Sequence, residues 1–165
     1  RTEMAEGELL GRFEGFNNEP DMEAPYAYIY AGRHDRACEV IRAGMSQCYG
    51  DSRGGLVGND DSGGMSSWYV WSALGLFPVA GQDVFLIGSP LFDRVEVQFG
   101  PHQAFAIETD GCGAESSYIQ SVLLDGKSLK RPYLCWRDVC SGGTLSVKMT
   151  SAPTVWTQER PPSVM

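Results

Sequence analysis

"GLVGNDDSGGMSSWYVWSALGLFP", residues 55–78, sets two adjacent aspartates in a glycine-rich turn and runs directly into an almost wholly apolar segment with two tryptophans. Met65, Trp68, Tyr69, Val70, Trp71, Ala73 and Leu74 fall on nearly every side of a helix that Gly75 is placed to end. A helix apolar all round must be enclosed by other structure, and only two more helices can be read beside it. One is capped by Asp21, carries Pro25 in its first turns, and repeats Tyr26, Ile29 and Tyr30 up to Gly32. The other runs from Asp35 to Cys48, with Ala37, Cys38, Ile41, Met45 and Cys48 on one face and Glu39 and Arg42 on the opposite one. Two neighbours cannot enclose a third helix. Residues 1–80 are therefore expected to form part of a larger helical assembly, and the start at Arg1 rather than Met is expected to mark a fragment.

Beyond residue 80 the period changes from helical to alternating. Phe85-Leu86-Ile87 is a short apolar run; Val95 and Val97 alternate with Glu96 and Gln98, and Phe105 and Ile107 with Ala106 and Glu108. Tyr118-Ile119 leads into Val122-Leu123-Leu124, Asp125-Gly126 supplies a hairpin turn, and Leu145 and Val147 alternate with Ser146 and Lys148. The expectation is an α+β chain: helices over 1–80, an antiparallel sheet or sandwich over 81–157, and a frayed tail over 158–165 with Pro161-Pro162.

The net charge of −8, from 13 Lys+Arg against 21 Asp+Glu, without a basic cluster, argues against nucleic acid as a partner. No stretch is apolar for long enough to span a bilayer, since Met65 to Val79 is broken by Gly75 and Pro78. The five cysteines form no C-x-x-C pair, and with only His34 and His102 beside them a zinc site is not expected. Cys135 and Cys140 can bridge in an oxidising compartment or remain buried thiols.

Asn59-Asp60-Asp61-Ser62 has two readings. As structure it is a turn and helix cap, built from the residues preferred there. As function, four successive polar residues exceed what a cap needs, and Gly58, Gly63 and Gly64 allow a ligand or a second backbone to approach. Carboxylates at a helix N-terminus are held ionised, which suits a general base or a metal ligand. Asn17, Asn18, Glu19 and Asp21 form a second such cluster ahead of a tyrosine-rich helix. Two helix mouths of this kind would face one another in a helical barrel, and an all-oxygen donor set implies calcium. Trp68, Trp71, Tyr26 and Tyr28 read as core aromatics rather than sugar-stacking platforms.

"GLVGNDDSGGMSSWYVWSALGLFPVAGQDVFLIGSPLF" resembles the signature of the glycoside hydrolase family 92 α-mannosidases, and "GFNNEPDMEAPYAYIYAGRHD" resembles their upstream asparagine–glutamate–proline segment. The resemblance continues through "SYIQSVLLDGKSLKRPYL" and "GGTLSV", and so covers nearly the whole chain. It implies an exo-acting, calcium-dependent, inverting enzyme with an N-terminal β-sandwich and an (α/α)6 catalytic barrel, of which this chain is the C-terminal part. By the matching motifs, Asp61 and Asp60 are candidates for the water-activating base, with Asp61 preferred. Asn18, Glu19 and Asn59 match positions at the calcium and the −1 sugar, so that Asn18, Glu19, Asp60 and Asp61 are the candidate calcium ligands. The calcium is implied to contact the mannose 2- and 3-hydroxyls and to help distort the ring. The general acid is implied to lie upstream, because Glu8 and Glu14 sit outside any matching context; the 165 residues alone are therefore expected to be inactive. The implied partners are α-mannoside glycans and the rest of the catalytic chain, and the implied location is secreted, periplasmic or at the cell surface. Two alternatives stand beside this: a non-catalytic calcium- or carbohydrate-binding module, and another (α/α)6 glycosidase with a different sugar preference.

Overall fold

A computed structural model describes residues 16–101 and 103–163. Its helices are α1 (Glu19–Met22), α2 (Ala24–Tyr30), α3 (His34–Cys48) and α4 (Gly64–Leu74), the last preceded by a 3-10 turn over Asp61–Gly63. The first helical region differs from expectation at its start. Asn18, with φ −146° and ψ 148°, is the cap residue; Pro20 sits in the first turn, and Asp21 lies inside α1. Pro at this position costs no hydrogen bond, which is why the helix begins two residues before the aspartate. Gly75 ends α4 in the left-handed region at φ +82°, and a side chain there would strike Pro90.

Around α4 the core is aromatic. Phe16 meets Trp68 edge-on with ring centres 4.7 Å apart, Tyr49 stacks on Trp68 at 5.7 Å, and Tyr26 stacks on Phe77 at 4.1 Å. The buried polar ends are satisfied: the Trp68 indole N–H donates to the Met22 carbonyl at 2.8 Å, and the Tyr26 hydroxyl pairs with Ser72 Oγ at 2.8 Å. Trp68 and Tyr26 are fully buried, and Tyr28 and Trp71 are half-buried. One flank of α4 stays open, with Val70 56% and Leu56 49% exposed.

Arg42 departs from the expected polar face of α3. Only 9% exposed, it donates from Nη1 to the Pro90 carbonyl at 3.0 Å and from Nη2 to the Gly113 carbonyl at 2.7 Å. The loops around Pro90 and Gly113 fold over that face, and helical periodicity cannot register a cover contributed from so far along the chain.

Strands follow α4 at once: β1 (Leu76–Pro78), β2 (Phe85–Ile87), β3 (Arg94–Gly100), β4 (Gln103–Asp110), β5 (Tyr118–Leu124), β6 (Lys127–Ser128), β7 (Tyr133–Leu134) and β8 (Gly143–Thr150), with a short helix α5 (Trp136–Val139) before the last. The first sheet has the order β1-β2-β7 and is antiparallel, so its β1–β2 hairpin straddles residue 80. The second has the order β3-β4-β8-β5-β6. Asp125 and Gly126, at φ +49° and +75°, close the expected β5–β6 hairpin. The all-antiparallel expectation is corrected at one pair: β4 and β8 run parallel, Phe105 facing Gly143 through Asp110 facing Lys148. Alternation reports which face a side chain takes and carries no information about strand direction.

Leu76, Ile87 and Leu134 of the first sheet pack with Phe105, Ile119 and Leu145 of the second in one apolar cluster, and Cys38 of α3 joins them. Val84 and Leu86 in turn join the helical cluster. All five cysteines are free thiols, Cys135 and Cys140 included. Residues 151–163 have no regular secondary structure; Trp156 nevertheless lies edge-on to His34 at 5.5 Å, and Pro161 is buried.

Candidate functional site

The acidic turn is wound by left-handed residues: Gly58 (φ +58°), Asp60 (+51°), Ser62 (+54°) and Gly63 (+73°). Its two aspartates have different environments. The Asp60 carboxylate accepts from the Ser66 amide at 2.9 Å and from the Ser66 hydroxyl in a short contact. These donors, the hydroxyl first and the amide second, hold it below the ordinary carboxylate range against a small opposing effect of burial. Ser66 is the third residue of α4, so Asp60 performs the capping that the structural reading assigned to the turn, reaching forward past Gly63. Asp61 and Asn59 are exposed, and the Asp61 carboxylate has no hydrogen bond among the described residues. Ser66 fastens one of the pair, and its neighbour is exposed to solvent.

The second polar cluster comes to the same place. Phe16 is fully buried and sits against Gly44 of α3, which anchors the loop that follows. Asn17 then crosses the acidic turn at Gly58, where a Cβ would lie 2.2 Å from the Asn17 carbonyl oxygen. Glu19 lies against Gly64 at the head of α4: a Cβ on that glycine would stand 3.2 Å from Glu19 Cγ and 3.5 Å from its Oε1. That Oε1 is buried and has no hydrogen-bond partner among the described residues. Asn18 is exposed beside it, and Asp21 is half-buried, its amide bonded to the Asn18 carbonyl at 3.1 Å. The Asn17–Glu19 segment thus meets the acidic turn at its two ends, Asn17 at Gly58 and Glu19 at Gly64. Glu8, Glu14 and His102 lie outside the described residues.

A buried carboxylate oxygen without a donor is costly unless a cation or another donor meets it. The Glu19 oxygen therefore fits a hard, oxygen-ligated cation, and Asn18, Asp60 and Asp61 are chemically compatible donors. Among the described residues, however, no three His, Cys, Asp or Glu side chains converge on one point. The described residues therefore do not form a carboxylate cage around the Glu19 oxygen.

Two features escaped sequence reading. Ser66 was one serine among several, with no signal to single it out as the Asp60 partner. Tyr49 brings a second buried oxygen near the turn, without a hydrogen-bond partner among the described residues; burial chiefly, then the charges of Cys48 and Asp60, raises its pKa. His34 and Cys38 make a buried pair elsewhere, with 3.5 Å between Cys38 Sγ and His34 Nδ1. Burial pushes the Cys38 thiol up to about 12, so it is packed as an unreactive side chain.

Residues 6–151 match the glycosyl hydrolase family 92 catalytic domain, and the chain belongs to this family. Over 142 residues, 84% of the chain, it is 32% identical to an uncharacterized secreted glycosidase from Arthroderma benhamiae, of which it covers 18%. A family GH92 α-mannosidase from Bacteroides thetaiotaomicron superposes with a TM-score of 0.86 at 28% identity, covering 98% of this chain and 23% of that one. A family GH92 inverting mannosidase from the same organism gives 0.82 at 32% identity, over 92% of this chain and 21% of its own length. The chain thus spans about a fifth of the length of these relatives. No helix among the described residues is long and apolar enough to cross a membrane.

Proposed function

We propose that this chain is the C-terminal part of a secreted α-mannosidase, which removes terminal α-linked mannose from glycans by a calcium-dependent, inverting route. The catalytic chain continues upstream with the remaining (α/α)6 helices and the general acid; α1–α4 are its last barrel helices. The observation that carries the reading is the division between the two aspartates. An inverting glycosidase needs a carboxylate free to take a proton from water on the face opposite the leaving group. Asp61 is unencumbered, whereas both donors of Ser66 occupy Asp60. Asp61 is therefore the base and Asp60 the residue that holds the turn in shape. Asn18, Glu19 and Asn59 line the same mouth and orient the sugar, and Glu19 with Asn18 would hold the calcium together with ligands from elsewhere in the catalytic chain. When bound, the ion supplies positive charge that fixes sugar hydroxyls in place. The secreted glycosidase relative supports a glycan substrate met outside the cell.

The test is hydrolysis of an α-linked mannoside by the complete catalytic chain, with and without a calcium chelator. Asp61→Asn should lower kcat by ~10²–10⁴-fold with little change in folding. Asp60→Asn should act mainly through the stability of the turn. Wild-type turnover by Asp61→Asn would remove it as the base, and indifference to chelation would remove calcium. The 165 residues alone should show no turnover.

A further inference from the structure

We infer that Gly58 and Gly64 are positioning residues that set the spacing between the two polar loops, and through it the place of the Glu19 carboxylate beside the Asp60–Asp61 turn; this rests on the mannosidase reading above. At Gly58 the contact is backbone on backbone. A Cβ would lie 2.2 Å from the Asn17 oxygen, 2.9 Å from its carbonyl carbon and 3.2 Å from its Cα. None of these atoms can swing aside as a side-chain tip can. The loop that carries Asn18 and Glu19 rests directly on a glycine two residues before Asp60.

Gly64 needs a different explanation. Its φ of −62° and ψ of −50° are ordinary helical values that any residue adopts. Glycine is a poor choice at such a position, since alanine is the better helix former. What the missing Cβ leaves room for is Glu19 Cγ at 3.2 Å, Glu19 Oε1 at 3.5 Å and Met22 Cε at 3.1 Å. Among the described residues, the Glu19 Oε1 has no hydrogen-bond partner to hold it. Its position is therefore set by the space available, and Gly64 defines one wall of that space.

The test compares three variants of the complete catalytic chain by mannoside hydrolysis, thermal melting and titration with calcium alone. Gly81→Ala is the control: Gly81 has φ +74° with nothing within 4 Å of a Cβ, so it carries the left-handed penalty without the contact. It should melt earlier and keep wild-type kcat/KM. Gly58→Ala should lose about 10²-fold in kcat/KM, the scale expected for a displacement near one ångström. Gly64→Ala should melt at or above the wild-type temperature, while calcium affinity falls about tenfold, the scale for disturbing the support of a metal ligand, and KM rises with it. If Gly58→Ala does not fold, Gly64→Ala decides. Wild-type calcium affinity and KM in Gly64→Ala overturn the inference. Asp61→Asn, run alongside, separates the two proposals: wild-type turnover there overturns the mannosidase reading, and the calcium titration of Gly64→Ala still supports or overturns the spacing.

Discussion

Acidification should destabilise this fold through His34, because its buried imidazole resists a proton that the unfolded chain accepts. The imidazole is sealed at the start of α3. Its Nε2–H donates to the Ile87 carbonyl at 2.8 Å, its Nδ1 faces Cys38 Sγ, and Trp156 closes over it edge-on. Burial lowers its pKa from 6.5 to about 4, with the Ile87 carbonyl and the Asp35 charge opposing that shift. The Asp35 carboxylate is itself committed to Arg33 at 2.7 Å. An unfolded histidine titrates near 6.5, so between the two values the unfolded chain takes up a proton that the folded chain refuses. Stability is complete above pH 6.5, declines as the pH falls towards 4, and loses nothing further from this group below that. The gap of roughly 2.5 pH units, at about 1.36 kcal/mol each, amounts to about 3 kcal/mol. The assay is urea unfolding from pH 7.5 to 4.5, followed by tryptophan fluorescence, for the wild type and His34→Gln. The glutamine amide can still donate to Ile87 but cannot titrate. Carboxylate titrations are shared by the two proteins and cancel in the difference. The wild type should lose about 2–3 kcal/mol more than the variant across this range; parallel pH profiles would refute the reasoning.

Arg42→Ala strands the carbonyls of Pro90 and Gly113 and should cost about 2–4 kcal/mol by urea unfolding. Arg36→Ala, which removes only a partly exposed pair with Glu39, should cost less than about 1 kcal/mol; equal costs would mean that Arg42 is no more than a surface residue. Ser66→Ala removes the hydroxyl that donates to Asp60, so the Asp60 carboxyl should titrate at higher pH by NMR, and the stabilisation it gives above the unfolded pKa should shrink. An unmoved titration would show that the amide alone holds it. The open flank of α4 should make the isolated chain self-associate in light scattering, and Val70→Lys should reduce this; a wild-type chain that is monomeric at high concentration would show that the flank needs no cover.

The sequence by itself determined the class of each element. The apolar circumference of residues 65–74, the stop at Gly75, the Asp125-Gly126 turn and the alternation of the later strands are written in local spacing, because helix and strand periods are properties of consecutive residues. It also brought the two polar clusters to notice by composition. Only the tertiary structure decided what those residues do to one another. Asp60 and Asp61 are adjacent and chemically identical, and their residue type does not separate them; Ser66, a full turn and more away, captures Asp60, while Asp61 stays exposed. The apolar and polar faces of α3 were legible, but the burial of Arg42 was not, since its partners lie 48 and 71 residues further on. The parallel pairing of β4 with β8 and the seating of Asn17 on Gly58 are likewise contacts between distant segments. Local patterns record which way a side chain faces; which groups meet is settled by how the backbone closes over distance, and in this protein that closure brings the Asn17 loop onto the acidic turn.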